Sequence, residues 1–135
     1  MKQKLILLVI ALVALGPAGI VNAGSLEGVW KLESGRWPGN GEDMVYPGDG
    51  DADQGAQAYR VFSGQHHFFI SSFPSAKIFN ANMTRYTVEG NVLHMEKVIV
   101  KNAGHLPEWD WTFTLDGDRL TLEMSGMREV WTRVE

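Results

Sequence analysis

No cysteine occurs anywhere in the 135 residues. That excludes disulfides, thiolate metal sites and a lipid-modified cysteine, so an exported domain of this sequence must be held by its core alone. Positive charge is also scarce, with 12 Lys and Arg against 16 Asp and Glu. Affinity for nucleic acid is largely a cationic effect, so that partner class is disfavoured. No basic amphipathic run points to a membrane surface. No helical pattern of useful length appears, and no internal repeat.

The one long apolar run lies at the N-terminus. Lys2 and Lys4 precede Leu5 to Leu15, and Val21-Asn22-Ala23 places small residues ahead of Gly24, the pattern of a signal peptide. A membrane span needs about 20 apolar residues, and Gly16 and Pro17 interrupt this run. Residues 1–23 therefore read as a cleaved export signal and 24–135 as one periplasmic or secreted domain with no stable membrane insertion. Taking 23 from 135 leaves 112 residues, in which 10 basic residues face 16 acidic ones, a net charge near −6. A chain of that length buries about two-thirds of its unfolded surface.

What remains is a series of strand patterns. Leu26, Gly28, Trp30 and Leu32 share one face of a first strand, with Glu27, Lys31 and Glu33 between or beside them. Ser34 to Gly55 is too rich in Gly, Pro and Asp for regular structure. Strands follow at 57–62, 66–73, 83–88, 92–101, 108–115, 118–124 and 127–134, with longer loops at 74–82 and 102–107 and tight turns elsewhere. Trp109, Trp111, Phe113 and Leu115 alternate most cleanly. A two-residue loop at Asp116-Gly117 sets Leu120 opposite Phe113 and Leu122 opposite Trp111, whereas one residue more sets Thr121 and Glu123 on that face. In an up-and-down order the three long loops fall at one end and the turns near 64, 90 and 117 at the other. The expectation is an all-β, eight-stranded antiparallel barrel with one open mouth and a closed base. Closure sets the last strand beside the first, bringing Arg133 to stack on Trp30, so Gly28, Trp30 and Arg133 are the expected structural residues of the base.

Three stretches carry a family resemblance: Gly28-Val29-Trp30; Tyr86 to Asn91 leading into His94-Met95-Glu96; and Leu115 to Leu122 followed by Glu129-Val130-Trp131-Thr132-Arg133-Val134. Together they resemble the calycin superfamily, and particularly the small bacterial lipocalin-like domains. The resemblance implies a lipocalin-like barrel that binds a ligand, inhibits, or in a few members isomerises or cyclises a substrate. The chain is shorter than a typical lipocalin and lacks the disulfides and a clear helix after the last strand.

Candidate site residues follow from the faces. His94 and Glu96 lie two apart and can form an acid–base pair. A three-residue turn at Glu89-Gly90-Asn91 faces both inward; a two-residue turn faces Leu93 and Met95 inward and brings Lys97 with them, so the first is preferred. Asp49-Gly50-Asp51-Ala52-Asp53 opens like a calcium loop, yet Gln54 and Arg60 stand where Gly and a bidentate acid are required. No metal is expected, and His66, His67, His94 and His105 are too scattered to form a cluster. Trp37, Met44 and Tyr46 sit on the longest loop as an adaptable lid, and Trp109 with Trp111 makes an aromatic wall. The expected ligand contacts are Trp37, Tyr46, Tyr59, Tyr86, His94, Glu96, Trp109 and Trp111. The expected function is cofactor-free binding of a small, mostly apolar or aromatic molecule. The alternatives are a cyclase, isomerase or dehydratase using His94 and Glu96, and an inhibitor acting through the long loop.

Overall fold

A computed structural model describes residues 26–48, 55–74, 77–101 and 108–135. The expected export signal, the acidic run Asp49–Asp53 and His105 lie outside the described residues. Among the described residues nine strands are formed: β1 Gly28–Trp37, β2 Met44–Tyr46, β3 Gln57–Ser63, β4 His66–Phe73, β5 Ile78–Glu89, β6 Val92–Lys101, β7 Glu108–Asp116, β8 Arg119–Met124 and β9 Met127–Arg133. From β3 onward each strand pairs antiparallel with the next, and β1 pairs with both β3 and β9. Strands β1 and β3–β9 thus close an eight-stranded up-and-down barrel, consistent with a lipocalin-like fold.

The ninth strand corrects the expectation of an irregular segment from residue 34. β1 continues to Trp37, and β2 turns back on it, with Gly35 opposite Tyr46 and Trp37 opposite Met44. A bulge against β9 between Leu32 and Ser34 makes this possible. One extra residue resets the two-residue alternation, so Trp30 and Leu32 before it and Gly35 and Trp37 after it all face inward. β3 pairs with β1 over Gly28 to Lys31, and β2 takes up that edge from Gly35. β5 is also longer than expected. Ile78 to Asn82 continue its ladder against β4, although two asparagines, poor strand formers, make that stretch resemble a loop.

The turns at the base are Gly64–Gln65, Gly90–Asn91 and Gly117–Asp118, each of two residues. The last lies one residue later than expected. Leu122 therefore pairs with Phe113, a shift of two positions that leaves the inward face unchanged. The middle turn reverses the preferred reading of 89–91. Gly90 takes φ 60° as the first of two loop residues, and Tyr86 pairs with Met95 and Val88 with Leu93. Leu93 and Met95 are fully buried, while His94 and Glu96 point outward. Burial of Lys97, which had counted against this register, is avoided by a second bulge between the pairings of Thr84 and Met83, and Lys97 is exposed.

The base is sealed by Trp30, which has no exposed surface and donates from Nε1 to the Leu26 carbonyl at 2.9 Å. The Arg133 guanidinium lies 4.2 Å from its ring centroid and donates to the Glu27 carbonyl. Gly28 has φ 128°, and a β-carbon there collides with the Glu135 carbonyl, so no other residue fits the crossing. Phe62, Tyr86, Leu93, Met95, Phe113, Leu120 and Leu122 complete the lower core. Burial, with a smaller contribution from Glu27, pushes the Tyr86 hydroxyl up to about 12. Outside, β7 presents Glu108, Asp110, Thr112, Thr114 and Asp116, whereas β4 and β5 present Phe68, Ile70 and Phe79.

Candidate functional site

Above the apolar base the barrel interior becomes charged. On β3, Ala58, Arg60 and Phe62 face inward, and the Arg60 side chain is only 5% exposed. From β9, Glu129 accepts from Arg60 Nη2 at 2.7 Å and Nε at 3.2 Å on its Oε2. Trp131 Nε1 donates to the same oxygen at 3.0 Å, and Trp37 Nε1 donates to Oε1 at 3.0 Å. Both charges are thus matched inside the protein, as burial demands. The guanidinium also lies 4.7 Å from the Phe69 ring, 4.8 Å from Trp131 and 5.3 Å from Trp111, in reach of cation–π attraction.

On its other side Arg60 Nη1 is 3.1 Å from His67 Nε2. Arginine only donates, so Nε2 accepts, and the ring proton sits on Nδ1, 3.0 Å from Thr84 Oγ1. Thr84 in turn donates to Met95 Sδ at 3.4 Å. Complete burial, reinforced by the Arg60 charge, lowers the His67 pKa well below 6.5 and keeps the imidazole neutral. The chain Glu129–Arg60–His67–Thr84 therefore crosses the barrel as a fixed platform.

A cavity of about 440 Å³ rests on this platform. Arg60, Glu129, Phe69, Asn82 and Trp111 form its floor, Ser71 and Asn80 its middle, and Trp37, Met44, Phe73, Ile78, Trp109, Met124 and Met127 its mouth. The volume lies within the range of small-molecule sites, about 300–1,000 Å³. Trp37 reaches it because Gly35 has no side chain; a β-carbon there would overlap the indole. Phe73 then locks the mouth hairpin edge-on, with ring centroids 6.0 Å from Trp37 and 5.6 Å from Tyr46. Three buried polar atoms on the lining have no hydrogen-bond partner among the described residues: Ser71 Oγ, Asn82 Oδ1 and Trp111 Nε1.

Of the residues expected to contact a ligand, the structure gathers Trp37, Trp109 and Trp111 on the cavity and sets Tyr46 behind Phe73. The others lie elsewhere. Tyr86 is buried below the platform, edge-on to Phe62 at 5.1 Å. Tyr59 alternates with Ala58 and Arg60, so it faces outward and its hydroxyl meets Gln57 at 3.3 Å. Glu96 is exposed on the outer wall, and His94 stands beside Asp110 at 2.5 Å and Glu108 at 3.1 Å. The hydrogen bond to Asp110 raises the His94 pKa, with both carboxylates adding attraction. An acid–base pair of His94 and Glu96 inside the barrel is therefore excluded. Sequence reasoning missed Arg60, Glu129, His67, Ser71 and Asn82. The signal for Arg60 was present, since the alternation that turns Phe62 inward turns Arg60 inward as well.

Compared with protein-family models, with curated proteins and with solved structures, the chain shows no match. Its function must be argued from the cavity.

Proposed function

We propose that this chain is an extracytoplasmic, lipocalin-like binding protein of the calycin type that holds one small, mostly apolar molecule in the cavity above Arg60 and Glu129. The observation that carries this reading is the cavity itself: aromatic and methionine side chains at its mouth, with buried polar atoms below them that have no partner among the described residues. An apolar lining with a few placed polar groups is how binding sites gain affinity and orientation together. A transmembrane barrel would need an apolar band around its whole circumference, and the charged outer face of β7 argues against one. Export rests on the N-terminal pattern. The enzymatic alternative has lost its residues, because His94 and Glu96 cannot reach a molecule inside.

N-phenyl-1-naphthylamine, a neutral apolar fluorophore, tests the reading. Its emission should rise saturably at one site per chain with a micromolar Kd, and Ile78→Arg at the mouth should weaken binding at least about tenfold. Ile70→Ser, on the apolar outer face, should leave binding unchanged. No saturable rise, or a rise abolished by Ile70→Ser and kept by Ile78→Arg, contradicts binding in the cavity.

A further inference from the structure

The cavity floor also carries information about the polar end of its ligand. Every formal charge there is already answered. Arg60 gives Nε and Nη2 to Glu129 and Nη1 to His67, and Glu129 receives Trp37 on one oxygen and Trp131 with Arg60 on the other. A carboxylate arriving at this floor would be a second buried anion beside Glu129. An ammonium would be a second buried cation beside Arg60. Neither would find a free countercharge, and a buried charge without one is strongly disfavoured.

The buried side-chain atoms around the cavity left wholly without a partner among the described residues are all neutral. Ser71 is 1% exposed and Trp111 4% exposed, yet Ser71 Oγ and Trp111 Nε1 lack a partner among the described residues, and so does Asn82 Oδ1. Trp111 offers a donor, Asn82 an acceptor, and Ser71 can do either. Strand register places this trio below the apolar mouth. Ser71 and Asn82 lie two and four residues deeper than Phe73 and Ile78 along the paired strands β4 and β5, and Trp111 lies two residues deeper than Trp109. Buried polar groups are almost always hydrogen-bonded, so three of them around one cavity mark where a ligand completes the set.

We infer that the ligand is uncharged and enters head-down, with a hydrogen-bonding head that both donates and accepts, such as an amide, lactam or hydroxyl, seated among Ser71, Asn82 and Trp111. Its flat apolar body then fills the mouth between Trp37, Phe73 and Trp109. This rests on the binding role proposed above, and goes further by excluding fatty acids and amines as preferred ligands.

Four probes with one ring system test it by calorimetry at pH 8: naphthalene-2-carboxamide, naphthalene-2-carboxylate, 2-naphthylmethylammonium and naphthalene. The carboxamide should bind at least about tenfold tighter than either ion and several-fold tighter than naphthalene. Ser71→Ala and Trp111→Phe should each shrink its advantage over naphthalene. Ser71→Ala should also raise the melting temperature of the empty protein, because it deletes a buried hydroxyl without a partner among the described residues. An ion that binds as tightly as the carboxamide overturns the neutral head, as does an advantage unchanged in both variants. Failure of all four, naphthalene included, counts against the binding role itself.

Discussion

Replacing Glu129 by Gln probes the platform on which the cavity stands. Glutamine keeps the volume and leaves a carbonyl oxygen for one tryptophan N–H, but it strips Arg60 of its counter-ion. The Arg60 and Glu129 side chains are 5% and 4% exposed, so water from the cavity can make up only a small part of the lost carboxylate's interaction. A guanidinium stays charged inside proteins, so the pair's positive member remains when its partner is removed. Removing one member of a buried pair costs about 3–5 kcal/mol. The three aromatic faces around the guanidinium offset part of that, which favours a loss of about 3 kcal/mol. At about 4–8 °C per kcal/mol for a domain near 100 residues, the melting temperature should fall by roughly 12–24 °C. Arg60→Met combined with Glu129→Gln removes both charges while keeping an unbranched apolar stem among the rings. Its loss should therefore fall well short of the sum of the single losses, with a coupling of about 2 kcal/mol in denaturant melts. A single-variant loss below about 1 kcal/mol, or strictly additive variants, would refute the view that this pair holds the platform together.

Trp30→Ala should cost about 3–5 kcal/mol in the same melts, as expected for a fully buried indole, and a loss below about 1 kcal/mol would remove Trp30 from its role at the base. His67 makes stability acid-sensitive. Its folded pKa lies below the unfolded 6.5, so only the unfolded chain takes up the proton as pH falls under 6.5, and stability should drop by up to about 1.4 kcal/mol per pH unit, a slope that His67→Gln should flatten. His94 acts with the opposite sign, because its raised pKa makes a contribution that is complete below 6.5 and lost as pH rises through the raised value. Being exposed, it should contribute under about 1 kcal/mol, and His94→Gln should leave the affinity for N-phenyl-1-naphthylamine unchanged.

The parts of the fold that were legible in the sequence are those governed by short-range rules. Alternation of Trp109, Trp111, Phe113 and Leu115 set the inward face of β7, and the Gly-centred turns set the order of long and short connections. Both bulges escaped, because one inserted residue leaves no mark in composition while reversing every side chain beyond it. The bulge at Glu33 hid the entry of Trp37 into the barrel, and the one in β6 removed the reason for rejecting the register that turns His94 outward. Of the candidate site, the tryptophans were readable as aromatic bulk. The platform was not, since Arg60 and Glu129 are 69 residues apart and each looks like an ordinary surface charge until barrel closure brings them together. Asn80 and Asn82 were obscured for a related reason, since polar residues at inward positions imitate a loop, whereas Ser71 lay in an expected strand and simply carried no sign of a cavity beside it.

Methionine methyl NMR tests occupancy of the cavity most directly. Met44, Met124 and Met127 line it, Met95 is buried beneath the platform, and Met83 lies on the outer face opposite Phe68. With methyl-labelled protein titrated with naphthalene-2-carboxamide, the resonances of Met124, Met127 and Met44 should shift together and saturate at one equivalent, and the probe's ring protons should show NOEs to them. Met83 should stay in place. Shifts confined to Met83, or saturation with the three mouth methionines unmoved, would place the ligand on the outer wall and contradict binding inside the barrel.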